Sequence, residues 1–149
     1  MNDAPRAGVS PVVTLLALSA EWESRLDREL RELGLTTRKY GLLAHIDVTP
    51  GISFSELARR SRITVQSAHA AVHALVDAGL VADAKAHAGA ASVLEVTQAG
   101  ARVLGTAQAL LDRLDAELRS EAPTLSRALT TPHEGAVAEG RTGSILQLD

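Results

Sequence analysis

The chain has no cysteine, which excludes disulfides, thiol redox sensing and cysteine-ligated zinc. It has one residue each of tryptophan, tyrosine and phenylalanine (Trp22, Tyr40 and Phe54), so its core must be built from Ala, Leu and Val. It lacks an excess of positive charge: 15 Lys and Arg stand against 18 Asp and Glu, a formal net charge of −3, which argues against a general polyanion binder. It lacks a long apolar run. The apolar stretch from Pro11 to Ala20 is soon interrupted by Glu21 and Glu23, so neither a membrane span nor a signal peptide is expected, and a cytoplasmic location fits. There is no internal repeat, Gly-rich phosphate loop, nucleophile triad or other catalytic constellation. An enzyme is not expected. What remains is 149 residues, 46% of them apolar, enough for one domain with a real core.

The most informative stretch is Ser53 to Gly79. Ser53 with Glu56 three residues on reads as a capping box opening a helix from Phe54 to about Ser61. Arg62-Ile63 bridges to Thr64, which caps a second helix ending at Gly79 as a left-handed C′ residue. Val65, Ala68, Val72, Leu75 and Val76 of that helix recur at helical spacing and should face a core. Gln66, Ser67, His69, Ala70 and His73 fall on its other side. A merely solvated face would carry Glu and Lys. Amide, hydroxyl and imidazole groups instead suit base edges in a major groove. The pattern is a helix-turn-helix.

In chain order, residues 1–9 read as a frayed terminus. Ser10-Pro11 starts a helix to Leu33, stopped at Gly34, with a stripe of Leu15, Leu18, Trp22, Leu26, Leu30 and Leu33. A rod that long overhangs a small core, and an overhanging apolar stripe calls for a second chain. Thr36 caps a helix from Thr37 to Val48, with Tyr40, Leu43, Ala44 and Ile46 inward. Thr49-Pro50-Gly51 ends it, and Ile52 is placed for a short strand. Leu80–Lys85 and Ser92–Thr97, around a Gly-containing tip, read as a hairpin, which after a helix-turn-helix is a wing. Thr97 caps a long helix from Gln98 to about Ser120 with near-heptad apolar spacing; Pro123 breaks it, and a short helix, Thr124 to Leu129, follows. Residues 131–149 read as a tail. The fold class is mainly α with a small β-hairpin wing. Its units are a helical arm over 10–34, a winged helix-turn-helix over 35–97, and a long helix with a short one over 98–130.

This order of elements resembles the MarR family of winged helix-turn-helix transcription regulators over about Leu35 to Leu118. The residues that carry the likeness are Leu35-Thr36, Ser55-Glu56-Leu57-Ala58, Leu75-Val76-Asp77-Ala78-Gly79-Leu80-Val81 and Val96-Thr97-Gln98-Ala99-Gly100. The resemblance implies a homodimer held by long N- and C-terminal helices. It also implies a double-stranded palindromic operator read by a recognition helix in each major groove, and repression relieved by a small phenolic or anionic effector. Family wings carry Asp and Arg at the tip, whereas here Lys85 and His87 are the only candidates. The polar residues from Pro132 onward leave the dimer contact to the first helix and Gln98–Ser120.

Base contacts are therefore expected from Gln66, Ser67, His69 and His73. Phosphate contacts are expected from Thr36, Arg38, Lys39, Arg59, Arg62, Thr64, Lys85 and His87, because Arg forks match phosphate oxygens and helix N-termini attract anions. Trp22, Arg25, His45 and Asp47 are the candidates for an effector site, with dimer or core packing the competing role of Trp22. His69 and His73 stand at the i, i+4 spacing of a zinc helix, but no Glu follows the first His and no third ligand is evident, so no metal or other cofactor is expected. The rival reading is a winged-helix module that binds protein rather than DNA, favoured by the acidity, the plain wing and Ala70.

Overall fold

The computed structural model describes residues 9–84 and 92–131. In chain order these form α1 (Pro11–Arg31), α2 (Thr37–Val48), α3 (Phe54–Arg60), α4 (Val65–Asp77), β1 (Val81–Ala84), β2 (Val93–Val96), α5 (Gln98–Glu121) and α6 (Pro123–Thr130). The strands pair antiparallel, with Val81 opposite Val96 and Ala84 opposite Val93. Ile52 adds an isolated antiparallel bridge to Leu94, so the residue read as a short strand contributes one bridge only.

Local chemistry sets most boundaries. The hydroxyls of Thr36, Ser53, Thr64 and Thr97 each accept the backbone N–H three residues on, satisfying donors that a helix start leaves free. Gly79 has φ 73° and closes α4 with a Schellman pair: its N–H donates to Val76 O and that of Leu80 to Leu75 O. The same pair at Gly34 ends α1 earlier than Leu33, since the Leu35 N–H donates to Leu30 O. The capping box at Ser53 is half formed. Ser53 Oγ accepts from Glu56 N, but the Glu56 carboxylate turns to Arg59 and Arg60.

The core surrounds α2. Leu42, Leu43 and Ile46 are buried there against Leu57 of α3, Leu75 of α4 and Leu94 of β2. At the wing, Gly100 lets α5 approach β1: a Cβ at this position would lie 2.2 Å from the Leu80 carbonyl oxygen. α1 joins the core only through its C-terminal half. Leu30 is fully buried, whereas Val12, Val13 and Leu16 are exposed and Leu15, the first residue of the apolar stripe, is 50% exposed, where the arm overhangs the core. Three ion pairs among the described residues tie α1 to α5, Arg25 with Glu117 and with Glu121, and Arg113 with Glu29. Among the described residues, no helix is long and apolar enough to cross a membrane.

Candidate nucleic-acid interface

α4 presents the face its spacing predicts. Ala68, Val72 and Leu75 are buried, and Gln66, His69, Ala70 and His73 are exposed, with Ser67 half-buried. Val65, expected inward, is 43% exposed because it is the first residue of α4, before the helix meets the core. None of the polar groups on this face is buried by the protein's own chain. Two of them are nevertheless held. The Thr64 hydroxyl donates to Ser67 Oγ at 2.8 Å while accepting the Ser67 N–H, so Thr64 acts as a cap that also orients Ser67. The imidazole of His69 stacks on the ring of Phe54, 3.7 Å between centroids and 17° between planes. The His73 ring lies 6.1 Å from that of His69. Among the described residues no group of three metal-ligating side chains is assembled.

The turn before α4 is built around Arg62. Its φ is 51°, a left-handed conformation that a side-chain-bearing residue seldom adopts, and its side chain is exposed. Arg59 is also exposed, but its guanidinium is engaged by Glu56, Nε donating to Oε2 at 2.8 Å and Nη2 to Oε1 at 2.7 Å. Arg60 donates to the same carboxylate and to Thr49 Oγ1, linking α3 to the end of α2. Hydrogen bonds from Arg59 and then Arg60 hold the Glu56 carboxyl at about 2. Arg59 is therefore a paired cation rather than a free one. Because the pair is solvent-exposed, a phosphate can compete for it.

The start of α2 differs from expectation. The Thr36 hydroxyl accepts from Lys39 N, and Arg38 is exposed. The anion seat at this helix N-terminus, however, is filled from inside: Asp27 Oδ1 accepts both the backbone N–H and the hydroxyl of Thr37, each at 2.7 Å. Asp27 thus acts as a cap rather than a solvated surface acid. Lys85 and His87 lie outside the described residues.

Of the four effector candidates, Trp22 and Arg25 stand on α1, and His45 and Asp47 on α2. The Arg25 guanidinium carbon sits 4.4 Å from the centroid of the Trp22 ring, so these two are adjacent. That guanidinium is already bound by Glu121 and Glu21, whose hydrogen bonds, that of Glu121 first, push its pKa further above the ordinary range. His45 and Asp47 stand two apart on α2 and face different ways, His45 buried and Asp47 exposed. Burial, and then the nearby charge of Arg60, lower the pKa of His45 and favour its neutral form.

Three features escaped the sequence. Asp27 meets Thr37 only once α1 and α2 are folded together. The Phe54–His69 stack joins residues fifteen apart on two different helices. The pull of Arg60 on Glu56 was signalled by their i, i+4 spacing, but the capping-box pattern at the same residue competed with it.

Residues 33–89 match the model of the MarR family. Over 120 residues, 80% of this chain and 82% of the relative, the sequence is 29% identical to the HTH-type transcriptional repressor Rv2887 of Mycobacterium tuberculosis. The crystal structure of the M. tuberculosis MarR family protein Rv2887 in complex with DNA aligns with a TM-score of 0.67 at 26% identity, covering 81% of this chain and 92% of that one. The same protein in complex with salicylic acid aligns with a TM-score of 0.65 at 27% identity, covering 83% and 95%.

Proposed function

We propose that this chain, which matches the MarR family model over residues 33–89, is a MarR family sequence-specific DNA-binding transcriptional regulator, a homodimeric repressor of a palindromic operator released by a small aromatic anion. It carries no catalytic role, and it works in the cytoplasm, where its operator is. The observation that carries the reading is the outer face of α4, where exposed Gln66, His69 and His73 and half-buried Ser67 stand on a helix anchored by Ala68, Val72 and Leu75.

Gln66, Ser67, His69 and His73 are assigned to base edges. Arg59, Arg62, Arg38, Lys39 and the capping residue Thr36 are assigned to the flanking phosphates, whereas Thr64, whose hydroxyl donates to Ser67, serves as a cap. Arg62 is the more accessible of the two turn cations, because Arg59 must first exchange Glu56 for a phosphate oxygen. What supports a dimer is the apolar start of α1, where Val12, Val13 and Leu16 are exposed together, with Leu129 of α6 also exposed. Two copies would set their α4 helices about 34–36 Å apart, one DNA turn, and so select a palindrome.

The effector class rests on the relative that is solved with salicylic acid. Trp22 supplies an aromatic surface for such a ligand. Arg25 serves it by trading a carboxylate of Glu21 or Glu121 for that of the ligand.

Selection of bound sequences from a random duplex library at low salt tests this function. An enriched palindrome with half-sites about ten base pairs apart, released by salicylate or a related aromatic acid, is expected. A library that emerges unenriched would overturn it.

A further inference from the structure

We propose that Phe54 is a positioning residue for DNA readout: it clamps the imidazole of His69 so that α4 offers a fixed hydrogen-bonding edge to the groove. The inference rests on the reading of α4 as the helix that enters the DNA. Phe54 is the first residue of α3 and is only 8% exposed, so its ring is anchored in the core. His69 is exposed, yet its ring lies 3.7 Å from that of Phe54 and within 17° of parallel. Of the three aromatic side chains in the chain, one stands directly behind the base-facing surface of α4.

Stacking uses the faces of the imidazole, whereas Nδ1 and Nε2 form hydrogen bonds in the plane of the ring. The contact can therefore hold His69 without consuming its donor or acceptor. An unsupported histidine on an exposed helix would lose side-chain freedom on binding. Removing that loss beforehand corresponds to roughly 2- to 12-fold in affinity. Ser67 is steadied in the same way by the Thr64 hydroxyl. Gln66 is exposed and makes no side-chain hydrogen bond among the described residues, so it is the adaptable member of the set.

The test has two parts. In the free wild-type homodimer, the His69 ring protons should be shifted upfield in the NMR spectrum by the Phe54 ring current, and Phe54→Leu should return them to ordinary positions. Unshifted protons in wild type overturn the inference, whether or not the variant folds. Wild type, His69→Ala, Phe54→Leu and Phe54→Tyr are then selected against the same random duplex library. His69→Ala should flatten a preference of ~5-fold or more at one position of each half-site. Phe54→Leu should flatten that position and no other, and Phe54→Tyr, which keeps a ring, should retain it. A Phe54→Leu motif identical to wild type, or a uniform weakening over all sequences, overturns the inference alone. If wild type enriches no sequence, the reading of α4 falls and the inference with it.

Discussion

The carboxylate of Asp27 on α1 closes the N-terminus of α2 by accepting the backbone N–H and the hydroxyl of Thr37, both at 2.7 Å. This joins the helical arm to the lobe that carries α4. The two hydrogen bonds, the backbone one first, hold the Asp27 carboxyl below its ordinary value of 3.8 against the opposing effect of partial burial. A depressed folded-state pKa means that the contact stabilises fully above the unfolded value and is lost as pH falls through the folded one. Asp27→Ala should therefore cost about 1 kcal/mol at neutral pH, as the loss of a cap does. Urea melts of wild type and variant, compared from pH 7 downward, should converge below the ordinary carboxylate range. A gap that stays constant into strong acid would show that the charge is irrelevant.

Glu56 restrains two cations beside the proposed phosphate path, pairing with Arg59 at 2.7 Å and with Arg60 at 2.7 Å. Glu56→Gln leaves the backbone N–H that Ser53 caps and frees both guanidinium groups from a competing anion. Affinity for all DNA sequences should rise alike, with a steeper dependence on salt, because more counterions are displaced. Fluorescence anisotropy over a salt series reads this. An unchanged slope would place Arg59 away from the DNA.

Arg62 combines a left-handed backbone, φ 51°, with an exposed guanidinium, so glycine separates its two roles. Arg62→Gly should leave thermal stability unchanged or slightly raised, since relief of the left-handed conformation offsets the greater freedom of the unfolded chain. DNA affinity should nevertheless fall equally for all sequences, with the salt slope reduced by about 1. Gln66→Ala should behave oppositely and change which base is preferred. Loss of sequence preference in Arg62→Gly would reassign that residue to base contact.

At the wing junction, Gly100→Ala drives a methyl group to 2.2 Å from the Leu80 carbonyl oxygen and 2.8 Å from Val96 Cγ1. The carbonyl also accepts the Thr97 N–H, so it cannot retreat without loosening the start of α5. A loss of ~2 kcal/mol or more is expected, seen as a drop in melting temperature of several degrees. A variant as stable as wild type would mean that α5 does not press on the Leu80 carbonyl that leads into β1.

Much of this architecture is legible in the residues because its signals are local. Thr36, Ser53, Thr64 and Thr97 cap backbone N–H groups three positions away, and Gly34 and Gly79 take the left-handed backbone that ends a helix. The buried side of α4 follows from its 3.6-residue spacing, failing only at Val65, where the helix has not yet reached the core. The MarR likeness, carried by motifs from Leu35 onward, was borne out by the family match over residues 33–89. What stayed hidden depends on how elements dock. Asp27 looks like an ordinary surface charge, and Arg25 like a cation open to a ligand, until Thr37 and Glu121 are brought beside them. The exposure of Leu15 likewise depends on where α1 leaves the core. The wing-tip residues Lys85 and His87 lie outside the described residues.

The most direct test compares wild-type affinity for the selected palindrome with its affinity for the same duplex in which both half-sites are scrambled, at physiological salt. Reading by paired α4 helices predicts a ratio on the order of 10³ or greater, as sequence-specific regulators achieve. Equal affinities for the two duplexes would contradict the account.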